Sequence, residues 1–220
     1  LAGLAAIVVP IAAALATDPF PLKWPYSLAF AAIALEKTWA MFAKSRQQHL
    51  FAASKDWTTI SVGVSYTLAM YSALIGFYGR QGHLPVPVMS AVGFGLYGLA
   101  LVVRYWAMHH LGRQWAVHLD RGPDIDRQLI RKGPYRWIRH PLYAGACLET
   151  VAVALAFNSL TALAVALLLF VPLEIHRAYF EERFLAVTFA QHYQRYASRT
   201  WAFIPLPWKP RPRGTTPKGG

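Results

Sequence analysis

Long apolar runs recur along this 220-residue chain and constrain its fold more than any other feature. The runs are 17 to 24 residues long, and short polar loops separate them. About 20 consecutive apolar residues form an α-helix that can cross the hydrocarbon core of a bilayer. Backbone polar groups in lipid must be paired within their own segment, so such runs form helices. The sequence therefore predicts an all-α polytopic membrane protein with about six transmembrane helices, at residues 1–17, 26–42, 57–78, 84–107, 141–157 and 159–178.

Lysine and arginine residues are unevenly distributed among the connecting segments. Residues 43–56, residues 108–140 and the tail from Arg177 contain 3, 7 and 8 of them, whereas 18–25 and 79–83 contain one each. Because basic residues are retained on the cytoplasmic side, both termini and the 108–140 segment are expected in the cytoplasm of a cell-membrane protein. The net charge of +12 is then a topology signal and an attraction to anionic lipids, and nucleic-acid binding is not needed to explain it.

The stretch from Gly133 to Tyr143 carries the densest set of functional side chains. It places arginine, histidine and aromatic residues around two prolines, directly before the apolar run of span five. Unpaired charge is costly at the edge of a membrane, so a polar or anionic group should pair with this stretch. We therefore expect a binding site at the cytosolic end of span five.

A second charged segment, Glu174–Leu185, accompanies the end of span six. Only Phe157-Asn158-Ser159 separates spans five and six, so the two spans should form a helical hairpin with both charged segments at its cytoplasmic end. Arg177 and Glu181 are four residues apart and share one helix face. An amphipathic helix with ordinary ion pairs would show the same pattern, but a pocket formed with the Gly133–Tyr143 stretch is the favoured interpretation.

Together these segments supply arginine and histidine donors, carboxylates and several aromatic rings. Aromatic faces attract onium cations and carboxylates bind ammonium groups, so the site suits a zwitterionic cofactor that carries a cation. The sequence shows no nucleophile–base pair, Gly-rich phosphate loop or H-E-x-x-H zinc motif. The histidines and aspartates of residues 108–132 lack the spacing of metal ligands, so no metal is predicted. The class of reaction left by these exclusions is group transfer in which the site positions the two reactants, and methyl transfer is one example.

The order of these motifs resembles the isoprenylcysteine carboxyl methyltransferase family and the related phospholipid methyltransferases. Those families carry G-x-Y-x-x-x-R-H-P-x-Y, a hydrophobic hairpin, a Glu-Glu pair and a Y-x-x-Y helix that ends near a proline. The matching residues here are Gly133–Tyr143, Glu181-Glu182, Tyr193 with Tyr196, and Ile204-Pro205. The resemblance covers residues 108–206, the expected catalytic region, which follows four N-terminal spans in residues 1–107. Composition predicts that the basic tail, residues 207–220, is disordered.

The resemblance implies that S-adenosyl-L-methionine binds at the boundary between membrane and cytosol. It also implies that Arg177 and Glu181 are the catalytic residues: Arg177 would orient the acceptor, and Glu181 would hold the amino or ribose groups of the cofactor. The cofactor-binding residues implied in the same way are Gln128, Leu129, Ile130, Gly133, Tyr135, Arg139, His140, Pro141, Leu142, Tyr143, Glu181 and Glu182.

The acceptor implied by the resemblance is lipophilic, most like a prenylcysteine-type carboxylate. A carboxylate is already nucleophilic, so alignment with the sulfonium methyl supplies most of the catalysis and no base is required. An amine acceptor would have to lose a proton, for which His140 or a carboxylate is a candidate. Phospholipid or amine N-methylation and thiol S-methylation on the same scaffold therefore stay open. Membrane lipids and the acceptor are the expected partners, and the oligomeric state stays open.

Two other functions are weaker alternatives. An NADPH-dependent membrane sterol reductase would be expected to show a Lys-Tyr-Gly stretch in its last helix, where this chain has Gln191-His192-Tyr193. A transporter would need polar residues along its spans. Few occur there, namely Glu36, Lys37, Arg104, Glu149 and Glu174.

Glu149 lies six residues after Tyr143, about 9 Å along a helix and below the headgroup level. A lone carboxylate at that depth is usually partnered or functional, so Glu149 is predicted to face the interior of the helix bundle. For the adjacent Glu36 and Lys37, a local ion pair that reaches to the headgroups is favoured over residues that line the interior. Pro172 is predicted to bend span six.

Overall fold

The computed structural model describes residues 24–47, 57–79, 87–112 and 129–204. The predicted first span, Gln128 and the basic tail lie outside these ranges. The described helices are α1 (Trp24–Gln47), α2 (Trp57–Tyr78), α3 (Pro87–Leu111), a 3-10 turn (Gly133–Arg136), α4 (Pro141–Ala156), α5 (Leu160–Val165), a π-helical segment (Ala166–Phe170) and α6 (Val171–Ala197). The described ranges contain no β-strand, which confirms the all-α class, and a single isolated parallel bridge joins Ile138 to Trp201.

Three of the described helices are long and apolar enough to cross a membrane: Ile60–Tyr78, Pro87–Leu111 and Leu160–Ala197. Helix α4 is apolar but shorter, at 16 residues. Helix α1 coincides with the predicted second span but is not one of the three. The count of six spans therefore stays a prediction.

The helix Leu160–Ala197 is far longer than one crossing requires. Its residues from Leu160 to Phe189, before the backbone leaves the helical conformation at Ala190, extend about 45 Å at 1.5 Å per residue, against about 30 Å of hydrocarbon in a bilayer. About 20 residues suffice to cross, so a crossing that starts at Leu160 would end near Tyr179. The charged turn that follows, with Glu181 and Glu182, would then lie beyond the hydrocarbon core.

The turn between α4 and α5 is the tight hairpin that the sequence predicts. Ser159 caps α5, where its side chain accepts a hydrogen bond from the Ala162 amide, and its hydroxyl donates to the Ser72 carbonyl at 3.0 Å. Asn158 has a positive φ of 52° and donates to the Ser90 hydroxyl at 3.0 Å. These bonds fasten the hairpin tip to α2 and α3, and Phe157 is fully buried between them.

Helices α3 and α4 lie in direct backbone contact at Gly93. A Cβ atom built on Gly93 would lie 2.2 Å from the Ala156 nitrogen, so only glycine fits. Gly95 and Gly98 have nothing within 4 Å of such an atom. Of the small residues on α3, it is thus Gly93 that permits the close approach of helices.

Pro172 coincides with an irregular turn in the last long helix. Proline lacks an amide hydrogen and disrupts the preceding α-helical turn. The residues directly before it, Ala166–Phe170, form a π-helix, and α6 resumes at Val171. The irregularity of the helix near Pro172 is thus a π-helical turn before the proline, and the bend predicted there stays a prediction. The break within α6 occurs at Ala190, whose backbone is not helical (φ 42°, ψ −122°).

Candidate active site

The stretch before α4 is held in place by residues from the far end of the described chain. The amides of Arg139 and His140 donate to the carbonyls of Trp201 and Ala202 at 2.8 and 3.0 Å. The Trp201 amide returns a bond of 3.1 Å to the Trp137 carbonyl. His140 is the residue before α4, and Pro141 begins the helix, where its missing amide hydrogen costs no bond. This pairing sets the direction in which the Arg139 and His140 side chains leave the backbone.

Arg139 joins this stretch to the end of α6. Its Nε donates to Glu182 Oε1 at 2.7 Å, and its Nη1 donates to the carbonyls of Ala197 and Thr200 at 3.0 and 2.6 Å. A planar guanidinium can make these three bonds at once, whereas a lysine ammonium on a flexible stem could not match the geometry. Arg139 therefore fixes the position of Glu182 relative to the start of α4.

His140 connects the same carboxylate to the aromatic wall of the site. Its Nε2 lies 3.1 Å from Glu182 Oε1, and its Nδ1 lies 3.8 Å from Glu181 Oε2. The imidazole ring is 5.6 Å from the ring of Tyr143 and 5.6 Å from the ring of Phe203. The side chain is only 3% exposed, so its orientation is fixed by these neighbours.

Glu182 is strongly stabilised in its ionised form. The hydrogen bond from His140 and the hydrogen bond and charge of Arg139 outweigh partial burial and hold the pKa of the Glu182 carboxyl at about 2. Glu182 is therefore a fixed negative charge at neutral pH.

Arg177 reaches the site from α6. Its guanidinium carbon lies 5.8 Å from the centroid of the Tyr143 ring, within the range of a cation–π contact. The Tyr143 side chain also interacts with Glu181. Because His140 and Arg177 contact the same ring, the two charged segments of the sequence meet at one place. We call this set, Arg139, His140, Tyr143, Arg177, Glu181 and Glu182, the juxtamembrane cluster.

The other residues implied by the resemblance surround this cluster or precede it. Gly133 has a positive φ of 59°, and a Cβ there would lie 2.6 Å from the His110 ring, so this position requires glycine. Tyr135 is buried, and its carbonyl accepts a 2.8 Å bond from the Tyr196 hydroxyl. Four other described residues are implied to bind the cofactor. Pro141 is fully buried, and the other three are partly buried, namely Leu129, Ile130 and Leu142.

Sequence reasoning missed Phe203 and the backbone carbonyls that Arg139 binds. Phe203 packs against His140 although 63 positions separate them (203 − 140), and no local periodicity signals such a contact. The only hint was the aromatic and basic composition of residues 193–204.

A second charged group lies deeper among the helices. Glu149 is 1% exposed, and its carboxylate is bonded by Lys37, by Arg104 Nη1 at 2.6 Å and by the Tyr66 hydroxyl at 3.2 Å. Glu149 therefore faces the bundle interior, as predicted. We call Glu36, Lys37, Arg104 and Glu149 the buried quartet.

Glu36 completes the buried quartet. Its side chain lies 2.6 Å from the Lys37 ammonium, 3.8 Å from Arg104 Nη2 and 2.6 Å from the Tyr105 hydroxyl, which donates to it. The predicted local ion pair of Glu36 and Lys37 is therefore present, but it is directed inward to Glu149 and Arg104 rather than toward the headgroups. Lys37 turns inward because Glu149, on α4, offers a buried counter-charge that the local sequence does not reveal.

Comparisons with known proteins place the fold among membrane methyltransferases. Residues 88–192 match the family model of phospholipid methyltransferases. The eukaryotic intramembrane Ras methyltransferase, isoprenylcysteine carboxyl methyltransferase, has the same fold with a TM-score of 0.61 and 19% identity, over 86% of this chain and 68% of that one. The resemblance to integral-membrane methyltransferases is confirmed. The matched family is one of methyltransferases.

Two curated relatives match shorter regions. The cobalt-zinc-cadmium resistance protein CzcN of Cupriavidus metallidurans is 32% identical over 143 residues, which are 64% of this chain and 61% of that protein. The uncharacterized protein YpbQ of Bacillus subtilis is 38% identical over 58 residues, 26% of this chain and 33% of that protein. The chain thus spans less than two thirds of the length of either relative. In residues 24–47, 57–79, 87–112 and 129–204, no group of three or more metal-ligand side chains lies together.

Proposed function

We propose that this protein is an S-adenosyl-L-methionine-dependent methyltransferase of about six spans, which methylates a lipophilic acceptor at the cytosolic end of the membrane. The juxtamembrane cluster is the proposed site. The observation that supports it best is the convergence of two separate segments on this cluster, where His140 lies 3.1 Å from Glu182 and shares the Tyr143 ring with Arg177.

The charges of the juxtamembrane cluster fit such a donor because both signs are present. Arg139 and Arg177 oppose two carboxylates, Glu181 and Glu182, so the cluster can pair with groups of either charge. S-adenosyl-L-methionine carries a sulfonium, an ammonium and a carboxylate near neutral pH, and hence one net positive charge. The Tyr143 ring already lies against a guanidinium, which shows that a cation fits its face.

Each residue then has a role that follows from its contacts. Glu182 is occupied by Arg139 and His140, so it fixes the imidazole and the start of α4. Glu181 is 24% exposed, and its nearest histidine nitrogen is 3.8 Å away, so its carboxylate is available for the ammonium or ribose hydroxyls of the donor. When bound, the donor supplies an electrophilic methyl group on sulfur. Tyr143 and Phe203 shield this position from water.

Arg177 is the proposed acceptor-binding residue. Arg177 is buried and its guanidinium carbon lies 5.8 Å from the centroid of the Tyr143 ring, where the carboxylate of a lipophilic acid could pair with it. A carboxylate held in this way is the nucleophile itself, so no base is required. O-methylation of a lipophilic carboxylate is therefore the reaction that we propose first.

One observation favours an amine acceptor as the second candidate. Glu174 is 4% exposed, and its Oε2 atom has no hydrogen-bond partner within the described ranges. A buried carboxylate oxygen without a donor is suited to hold the ammonium of an incoming amine. The name of the matching family, phospholipid methyltransferase, is consistent with this alternative.

Titration of the detergent-purified protein with S-adenosyl-L-methionine, followed by calorimetry, tests the donor. We expect saturable binding, weakened about tenfold or more in Glu181→Gln and in His140→Ala because each removes a polar or aromatic contact. Arg183→Gln is the control, since Arg183 is an exposed arginine on the same helix whose ring contact is Tyr179. No binding by the wild type, or equal affinity in all three variants, would refute the site. A parallel titration with NADPH tests the alternative of a membrane reductase, which NADPH binding in place of the methyl donor would support.

A set of amphiphiles with one tail and a carboxylate, amine or thiol head tests the acceptor. With radiolabelled donor, Arg177→Gln should abolish methylation of the carboxylate while leaving that of an amine largely intact. Glu174→Gln should have the opposite preference. Loss of all three activities to the same extent in both variants would contradict the assigned acceptor roles.

A further inference from the structure

A cavity that opens to solvent lies beside the juxtamembrane cluster and has a different composition. Its volume is about 500 Å³, and it is lined by Arg131, Arg136, His192, Arg195, Tyr196, Arg199 and Thr200. Two of these residues come from the segment around the 3-10 turn, and the others come from the end of α6 and the turn after it. No residue of the juxtamembrane cluster lines it, so the two sites can hold separate ligands.

The lining of this cavity is strongly positive. Four guanidinium groups and one imidazole face one space, and no lining residue is acidic. Within the described part of the chain, no ion pair within 4 Å involves any of the four arginines. Four like charges around one space repel each other, so an anion that binds there relieves this repulsion.

The chemistry of the lining distinguishes between anions. An arginine fork binds a carboxylate through two parallel bonds, so one guanidinium satisfies one carboxylate. A single carboxylate would therefore leave three guanidinium groups without a partner. A phosphate monoester has three terminal oxygens and up to two negative charges, and it can engage several arginines at once.

The walls of the cavity are fixed before any ligand binds. The Tyr196 hydroxyl donates to the Tyr135 carbonyl at 2.8 Å, which ties α6 to the 3-10 turn. The Thr200 hydroxyl donates to the Tyr196 carbonyl at 2.8 Å, and the Thr200 carbonyl accepts from Arg139. Because both sides of the cavity are joined by buried hydrogen bonds, binding would cost little ordering of the backbone.

We propose that this cavity is a binding site for a phosphate group, separate from the site of the methyl donor. The phosphate is either the headgroup of an anionic lipid or a soluble phosphate, since both present the same oxygens. Its position next to the proposed active site means that the ligand binds at the same end of the membrane helices.

The test uses the full-length protein in nanodiscs and does not depend on methyl transfer. One arm titrates inorganic pyrophosphate into protein in phosphatidylcholine discs. The other arm measures the melting temperature in three kinds of disc: phosphatidylcholine alone, phosphatidylcholine with phosphatidic acid, and phosphatidylcholine with phosphatidylserine. Phosphatidic acid presents a phosphate monoester, whereas the phosphate of phosphatidylserine is a diester. The variant is Arg195→Gln with Arg199→Gln. Arg183→Gln on the same helix is the matched control, because it removes one arginine outside the cavity.

We expect the double variant to weaken phosphate binding roughly tenfold to a hundredfold, while Arg183→Gln leaves it unchanged. Stabilisation by phosphatidic acid beyond that by phosphatidylserine supports a lipid headgroup, and saturable pyrophosphate binding without that lipid effect supports a soluble phosphate.

Equal losses in the double variant and in Arg183→Gln would reduce the effect to surface charge and overturn the site. Absence of binding in both arms would also overturn it. A tenfold loss of donor affinity in the double variant, without a change in phosphate binding, would assign the cavity to the donor and overturn the proposal.

Discussion

The buried quartet and the juxtamembrane cluster use the same kinds of side chain but differ in how closely their carboxylates are paired. In the buried quartet, two carboxylates oppose two cations, and both oxygens of Glu149 are bonded by cations. In the juxtamembrane cluster, Glu182 takes both Arg139 and His140, whereas Glu181 approaches His140 only at 3.8 Å. A carboxylate bonded by cations at both oxygens has no capacity left for a ligand, whereas Glu181 has a cationic partner only at 3.8 Å. The comparison teaches that the buried quartet connects helices, and that the less closely paired cluster is where a ligand can bind.

The largest effect is expected when Glu149 loses its charge. Glu149→Gln leaves Lys37 and Arg104 with one carboxylate between them in a buried space, and breaking a buried ion pair in this way costs about 3–5 kcal/mol. The free energy of unfolding in mixed detergent micelles is the measurement. Combining it with Lys37→Met should restore part of the loss, because charge balance returns. If Glu149→Gln unfolds like the wild type, the buried quartet does not stabilise the fold.

Gly93→Ala should destabilise the protein without weakening the proposed donor site. The added methyl group would meet the backbone of Ala156, which cannot move aside by rotating a side chain, so we expect a loss of about 1–3 kcal/mol. Gly95→Ala is the control: its Cβ meets nothing within 4 Å, and replacing a helical glycine stabilises by up to about 1 kcal/mol. Thermal unfolding checks both, and equal changes in the two variants would contradict the close packing of α3 on α4.

Glu182→Gln should weaken donor binding more than it lowers stability, whereas Glu149→Gln acts mainly on stability. It removes the charge that Arg139 and His140 share, and we expect donor affinity to fall about tenfold. The carboxylate is 28% exposed, against 2% for that of Glu149, so solvent screens its pairs and the loss of unfolding free energy should be smaller than for Glu149→Gln, about 1–2 kcal/mol. Calorimetry on the same preparations measures the affinity. A large loss of stability with unchanged affinity would place Glu182 with the structural residues and break the comparison.

The smallest effect is a pH dependence that Glu182 should confer. The pKa of this carboxyl is lowered to about 2 in the folded protein, against about 4.3 for an ordinary glutamate. Its stabilising contribution is therefore fully present above pH 4.3 and declines as the pH falls toward 2. The difference in melting temperature between wild type and Glu182→Gln should shrink from pH 6 to pH 3. A constant difference over this range would argue against the lowered pKa.

Local sequence patterns predicted the hairpin turn, the inward direction of Glu149 and the approach of Glu181-Glu182 to His140. Each follows from helical periodicity, from the short connection at Asn158 or from a motif. The contact of Lys37 with Glu149 spans 112 positions (149 − 37) and depends on how α1 packs against α4, which no local pattern encodes. The contact of Phe203 with His140 is likewise long-range, and no local pattern encodes it.

The bridge between Ile138 and Trp201 also orders events during biosynthesis. The backbone bonds that orient Arg139 and His140 come from Trp201 and Ala202, which are translated after every helix described here. A nascent chain stopped before Trp201 would contain those helices but could not yet close its pocket. The cluster is therefore completed in a late step, when Trp201 to Phe203 leave the ribosome and dock beside α4.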